Sequence, residues 1–387
     1  MRAAARRARS PSIDAVSVNP DWSPLGDHIA YVGAPAKGKP PQIYVLRLDG
    51  GDSQKVTDAK TGVSSFEWRP DSSGFAYVSE DEAPNKAAIE KHAFVTTSPR
   101  RAAELSILRP GEREPRTLTH FTARIAARAL TNTREVRWRS SDGYAADGAL
   151  TEPAGFVRGK SYPLIMLIHG GPTATSTTSY SSLVQLMAAR GWFVFQPNYR
   201  GSDNAGAAWA QATVPHITSA PARDCEEGLA QVVKTENIDR TRIGVTGWSE
   251  GGLMTSWLIT HDTRWKSALS GAAVNDCVQY GDLTDSKDFT PSFIGPSPWT
   301  SDAMMRLYKD ESPLTYASAV KTRTLIMTDA GDQRVPTPLD YEFYHEIRAT
   351  GTPVEMMIFP RNGHNPTDPV GQEVRTREWV GWFARTR

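Results

Sequence analysis

The sequence predicts an α/β protein: a largely parallel sheet with helices on both faces, preceded by a smaller antiparallel β domain. Three observations predict it. From Val136 onward, short apolar runs alternate with longer helical patterns, as in a doubly covered sheet. Before that point a strand–turn–strand unit recurs after 46 residues. Hydrophobic residues make up 39% of the 387 positions and charged residues 22%, enough for a large core and against wholesale disorder. Lys+Arg 44 balance Asp+Glu 43, so there is no global basic footprint for nucleic acid and no acidic tail. No apolar run approaches the ~18 residues of a membrane span. The two cysteines, Cys225 and Cys277, exclude a disulfide framework and a cysteine-based zinc site.

Residues 1–19 carry Arg2, Arg6, Arg7 and Arg9 in an Ala-rich stretch. Ser10-Pro11-Ser12-Ile13-Asp14 stands where a secretory signal would place its apolar segment. The segment therefore reads as a disordered basic tail, or the start of a fragment, and a cytoplasmic location is expected. In residues 20–135, Trp22, Pro24, Ala30 and Tyr31 recur 46 positions later as Trp68, Pro70, Ala76 and Tyr77. The half-unit Gln42-Ile43-Tyr44-Val45-Leu46 with the turn Asp49-Gly50-Gly51 is echoed by Leu105-Ser106-Ile107-Leu108 with Arg109-Pro110-Gly111, at an offset of 62. A closed propeller takes at least about four blades of roughly 45 residues. Only about 115 residues lie between Asp21 and Glu135, so a partial propeller of two to three blades is expected. A small β-sandwich with two similar hairpins is the alternative. In residues 136–387, strands are expected at 164–168, 192–196, 243–246, 268–270, 324–327 and 354–359. Helices are expected at 182–190, 224–236, 252–260, 338–350 and 372–383. The domain boundary is placed near Ser140-Ser141-Asp142-Gly143.

Gly247-Trp248-Ser249-Glu250-Gly251 fits G-x-S-x-G between a strand and a helix, the context of a nucleophile elbow. The turn is so sharp that the residues two before and two after the serine must be small. In α/β-hydrolases an acid and then a histidine follow the serine. His364 lies in a loop past the strand at 354–359, at the sheet end where such sites assemble. His345 falls inside a helical pattern and reads as a helix-surface residue. Asp329 and Asp332 both follow the strand at 324–327, and spacing leaves the choice between them open. For the oxyanion, the Glu250 amide follows the nucleophile, and His169-Gly170-Gly171-Pro172 matches the loop that supplies a second donor, expected at Gly171. Metal-binding motifs and a phosphate loop are absent from the sequence, and no cofactor is implied.

At these residues the chain resembles the prolyl oligopeptidase family of serine peptidases, in its acylaminoacyl/dipeptidyl branch. The resemblance rests on Tyr162 through Pro172, Asn198-Tyr199-Arg200-Gly201-Ser202, the elbow with Gly252, Gly331-Asp332 with Arg334-Val335-Pro336, and Gly363-His364. It implies an α/β-hydrolase domain behind a propeller, Asp332 as the acid, and a triad of Ser249, Asp332 and His364. It also implies short peptide substrates, and Tyr199, Val274, Cys277 and Tyr280 around the substrate pocket. Homo-oligomers occur in the family; nucleic acid and membrane partners are not expected. Two other readings share these residues: a carboxylesterase, or an impaired remnant with a binding role. The departures are specific. The propeller is short, Glu250 replaces a usual Tyr, Cys277 replaces a frequent Trp, and Pro215–Ala220 replaces a Trp-Gly-type stretch. A Glu250 carboxylate facing the pocket would favour a basic residue before the cut.

Overall fold

The computed structural model describes residues 18–34, 39–48, 53–60, 62–69, 71–79, 92–108, 113–171 and 173–385. Residues 1–17 of the basic segment, Pro70, Pro172 and the turns at 49–51 and 109–111 lie outside them. The chain divides into two compact units, residues 1–92 with 108–115 and residues 93–107 with 116–387.

The first unit is antiparallel β. Strands β1 (Val18–Trp22), β2 (His28–Gly33), β3 (Gln42–Arg47) and β4 (Gln54–Lys55) form a four-stranded sheet, the strand count of one propeller blade. Strands β5 (Val63–Trp68) and β6 (Phe75–Ser79) form a separate pair. The 46-residue repeat is a repeat of register: Trp22 pairs with Ile29, and Trp68 with Phe75. Polar side chains close both turns. The Ser23 hydroxyl accepts from the Asp27 and His28 amides, and Asp71 accepts from the Ser73 amide. Ala30, Val32, Ile43 and Val63 form the small buried core.

The second unit holds the large sheet. A short sheet of β7 (His92–Ser98), β8 (Arg101–Leu108) and β9 (Arg116–Thr117) precedes it. The eight-stranded sheet contains β10 (Thr133–Arg139), β11 (Ala145–Thr151), β12 (Tyr162–Ile168), β13 (Phe193–Asn198), β14 (Ile238–Trp248), β15 (Ser267–Gly271), β16 (Thr324–Gly331) and β17 (Val354–Asn362). Its order is β10-β11-β13-β12-β14-β15-β16-β17, parallel from β13 to β17. All six expected strands are present. Side chains alternate across the sheet. Leu164, Met166 and Ile168 enter one apolar cluster and Ile165 the other; Phe193 and Phe195 oppose Val194.

The helices are α1 (Ala123–Ala126), α2 (Ser182–Ala189), α3 (Ala207–Gln211), α4 (Ser219–Thr235), α5 (Glu250–His261), α6 (Cys277–Leu283), α7 (Phe289–Phe293), α8 (Asp302–Asp310), α9 (Pro338–Ala349) and α10 (Pro369–Arg385). Helices α4, α5 and α9 supply Leu229, Leu258 and Phe343 to one cluster; α2 and α10 supply Met187 and Trp382 to the other. Both sheet faces are thus covered, which is why the parallel strands read as continuous apolar runs. None of the helices among the described residues is long and apolar enough to cross a membrane.

The structure differs from expectation at the sheet edge. Ser140–Gly143 is the turn of the β10–β11 hairpin, with the Gly143 amide donating to the Ser140 carbonyl at 2.8 Å. Only Val136 and Trp138 of β10 are buried, so this edge strand lacks the continuous apolar run that betrays the central ones. Helices α1, α3, α6 and α7 are too short to show periodicity.

One buried acid ties α9 to the loop after β15. Asp340 Oδ1 accepts from the Ala273 amide at 3.2 Å and from Asn275 Nδ2 at 3.0 Å. Burial pushes its carboxyl from 3.8 up to about 8. Between pH 4 and 8 the folded chain holds a proton that the unfolded chain has lost, so stability falls as pH rises through that window. Asp340→Asn keeps the acceptor and removes the titration. It is expected to raise stability by a few kcal/mol at pH 8 and little at pH 4, checked by urea unfolding at both pH values.

Candidate active site

The elbow follows from close backbone packing. Strand β14 ends at Trp248 and α5 starts at Glu250. Ser249 between them has φ 63° and ψ −123°, a region L-residues rarely enter. Its amide donates to the Gly271 carbonyl at 2.8 Å, and its carbonyl accepts from the Leu253 amide at 2.9 Å. The flanking glycines are there for space. A Cβ on Gly247 would sit 2.3 Å from the Gly251 oxygen, and one on Gly251 would sit 2.2 Å from the Ile168 oxygen. Gly252 would meet the Gly271 oxygen at 2.3 Å.

Asp332 and His364 arrive from the ends of β16 and β17. His364 Nδ1 donates to Asp332 Oδ2 at 2.6 Å. Asp332 Oδ1 accepts from the Arg334 amide at 2.9 Å and the Val335 amide at 3.0 Å, so the carboxylate is held on both oxygens. Asp329 is different: both its carboxyl oxygens are buried without a hydrogen-bond partner among the described residues, and burial raises its pKa. Geometry therefore separates two acids that spacing could not. His364 Nε2 is buried and unpartnered among the described residues. The loop is pinned by Trp248 Nε1, which donates to the His364 carbonyl at 3.0 Å. Arg375 lies 4.7 Å over the Trp248 ring and donates to Asn365 Oδ1. His345 sits on α9 beside Tyr341 and Tyr344.

Ser249, His364, Gly170, Gly171 and Glu250 line one cavity of about 510 Å³. A Cβ on Gly170 would lie 3.2 Å from the Ser249 Cβ, which shows how closely this loop approaches the nucleophile. Gly171 has φ 152°, open only to glycine, and a Cβ there would meet the Thr173 amide at 2.8 Å. The Asn198–Ser202 stretch braces that loop from behind. Tyr199 stacks on His169 at 4.5 Å and its hydroxyl donates to the His169 carbonyl. Ser202 Oγ meets His169 Nε2 at 2.9 Å. Arg200, buried, pairs with Asp224 through two nitrogens, and Asn198 Oδ1 accepts from the Ser176 amide. Burial lowers the His169 pKa to about 4, so its imidazole is neutral.

The pocket residues separate into two groups. Val274 and Tyr280 line the cavity, together with Leu253, Phe289 and Val335. Tyr199 and Cys277 are wholly buried elsewhere: Tyr199 behind the glycine loop, and Cys277 with its Sγ 3.5 Å from the Glu311 carbonyl. Phe289 and Ser286 escaped sequence reading because α7 carries no motif; Tyr280 packs edge-on to Phe289 at 5.6 Å. Arg334 also lines the cavity and pairs with Asp285 at 2.7 Å. The Pro215–Ala220 stretch gains a physical account. The Thr218 and Ser219 amides and hydroxyls all donate to the buried Glu311 carboxylate, which caps α4 from a distant segment.

Glu250 corrects an expectation. The residue is 3% exposed, and both carboxyl oxygens are out of solvent without a partner among the described residues. Burial pushes the carboxyl well above the usual carboxylate range, and the titratable groups coupled to it are Tyr199 and Cys225. Its carboxyl is buried out of solvent, so the condition for preferring a basic residue before the cut, a carboxylate facing the pocket, is not met. Among the described residues no group of three or more His, Cys, Asp or Glu side chains is placed to hold a metal ion.

The geometry can be set beside known proteins. The chain is 28% identical over 299 residues to an uncharacterized peptidase, YuxL, of Bacillus subtilis, covering 76% of this chain and 45% of that one. It is 24% identical to dipeptidyl-peptidase 5 of Porphyromonas gingivalis, over 95% of this chain and 58% of that one. The chain thus spans about half the length of these relatives. The uncomplexed acylaminoacyl peptidase of Pyrococcus horikoshii superposes with a TM-score of 0.71 at 23% identity, over 97% of this chain and 57% of that one. That likeness shows the fold, an α/β-hydrolase domain after antiparallel β structure. The model of the prolyl oligopeptidase family matches residues 178–386, a stretch that holds the elbow, Asp332 and His364. More than half of the sequence fits that one model, and the protein belongs to the prolyl oligopeptidase family.

Proposed function

We propose that the protein is a serine peptidase that hydrolyses short peptides, of the acylaminoacyl-, dipeptidyl- or oligopeptidase type. The observation that carries this reading is one cavity lined by Ser249 on a strained elbow and by His364, whose Nδ1 is held 2.6 Å from Asp332. Ser249 Oγ attacks the scissile carbonyl carbon while His364 Nε2 takes its proton. Asp332 holds the tautomer and stabilises the imidazolium. The Gly171 and Glu250 amides receive the oxyanion. The C–N bond breaks as His364 returns the proton to the leaving amine. Water, deprotonated by His364, then releases the acid and regenerates Ser249. We further read the antiparallel strands before residue 136 as a partial propeller, and residues 136–387 as the hydrolase domain.

The cavity wall supports an apolar residue before the cut. Val274, Tyr280, Leu253 and Phe289 make most of the wall, the Glu250 carboxyl is buried, and Arg334 is paired with Asp285, which leaves no unpaired acid to receive a basic side chain among the cavity's described residues. Chromogenic anilides ending in Phe or Leu are expected to exceed the Arg anilide by about 10-fold or more in kcat/KM. Equal rates would remove this pocket assignment. Fluorophosphonate labelling of native protein, absent in Ser249→Ala, tests the nucleophile. Matched anilide and ester substrates test the class: activity on esters alone would replace the peptidase reading by the carboxylesterase one.

A further inference from the structure

The opposite end of the large sheet holds a second cavity, of about 230 Å³. It forms where β12 and β15 begin, beside Arg242 and Gly244 of β14 and where the chain enters β13, so it faces away from the strand ends that carry Ser249, Asp332 and His364. Four cationic residues line it: Lys160, Arg190, Arg242 and Lys266. The lining contains no acidic residue. Arg242 is partly neutralised by Asp239, 2.6 Å away. Lys160 lies 5.3 Å over the Tyr162 ring. Among the described residues, neither it nor Arg190 nor Lys266 forms an ion pair.

These cations come from four separate segments of chain, and the fold alone brings them together. Apart from the Arg242–Asp239 pair their charge is not balanced within the lining, and a bound anion would complement it. The floor beneath them, Trp192 and Phe383 included, is buried and belongs to the sheet and α10, so the concavity is preformed. Its volume lies below the ~300 Å³ at which drug-sized pockets begin, which favours a small ligand. Arginine supplies a planar fork and lysine a point charge, a pairing suited to phosphate oxygens.

We propose that this cavity binds a small, multiply charged oxyanion of the phosphate class, free or carried as a phosphate monoester. The site is independent of the peptidase reading. Isothermal titration at constant ionic strength, with inorganic phosphate in one arm and glycerol 3-phosphate in the other, tests it on the full chain. Saturable binding of one molecule per chain is expected, weakened about 10-fold by Lys160→Gln and again by Lys266→Gln, with circular dichroism unchanged. Tighter binding in the first arm assigns free phosphate; in the second, the ester. Unchanged affinity in both lysine variants, or a response that sodium chloride reproduces, overturns the proposal. So does an affinity lost in Arg334→Gln alone, which would put the anion in the catalytic cavity. Peptidase activity enters neither readout, so failure of this site and failure of the Ser249 reading are distinguishable.

Discussion

Ser249→Ala is expected to lower kcat toward peptide anilides by about 10⁶-fold while leaving the unfolding midpoint within a few degrees of the parent. The size follows from the proposed mechanism, in which the three side chains act as a unit: without Oγ no acyl-enzyme would form, and His364 would have nothing to deprotonate. His364→Ala should therefore cost a similar factor, and the double variant should be no worse than either alone. Asp332→Asn is expected to cost about 10⁴-fold, because an amide facing Nδ1 permits the wrong tautomer. Asp329→Asn is the discriminating control. That side chain is buried two strand-end residues away from the triad and does not hydrogen-bond His364. It should change kcat by less than about 10-fold. Steady-state kinetics on one anilide measures the whole series. A Ser249→Ala protein with a tenth of the parent activity would end the triad assignment, and a larger loss in Asp329→Asn than in Asp332→Asn would reassign the acid.

The largest effect on stability is expected from Gly251→Ala. The new methyl would lie 2.2 Å from the Ile168 carbonyl oxygen and 2.9 Å from that of His169. Both are backbone atoms, one at the end of β12 and the other in the glycine loop that follows it, so neither can rotate away. Relief requires α5 to lift from the sheet, and α5 is buried along nearly its whole length. A loss of about 4 kcal/mol or more is expected, a fall of roughly 5 °C or more in Tm for a chain of this size. Gly381→Ala is the opposite case. It lies within α10, where the nearest atom to a new Cβ is Arg385 Nη1 at 3.6 Å, an ordinary contact. Alanine has the higher helix propensity, so a gain of up to about 1 kcal/mol is expected there. Thermal unfolding of the two variants side by side measures the contrast. Equal stability of Gly251→Ala and the parent would mean that the elbow is looser than its packing indicates.

Much of the catalytic sheet was legible because burial on both faces forces a recognisable pattern. Strands β12 to β16 carry apolar runs buried on both faces, while β17, at the far edge, buries only Phe359 but keeps the apolar run Met356 to Phe359; all six were expected. The β10–β11 hairpin was hidden for the complementary reason. At the sheet edge, exposed Arg134, Glu135, Arg137 and Arg139 dilute the signal of Val136 and Trp138. The elbow could be read because a steric demand on consecutive residues leaves its mark on consecutive letters. The Tyr199 and Cys277 assignments could not be tested that way. Which way a side chain faces at the end of a strand or the start of a helix depends on neighbours far away in sequence. Glu311 is the clearest instance: it lies more than 90 residues from Thr218 and Ser219, whose amides it caps.

By itself, the sequence determined the α/β class, the positions of the central strands and the spacing around Ser249, because each rests on contacts between chain neighbours or on the burial of a single segment. The tertiary structure placed Asp332, which the resemblance had picked over Asp329, against His364, and it alone decided that the Glu250 carboxyl is buried and that four dispersed cations share one cavity. Those outcomes depend on distances between remote segments. Only the packing of helices and strands around a common sheet sets such distances, and no local pattern of residues records them.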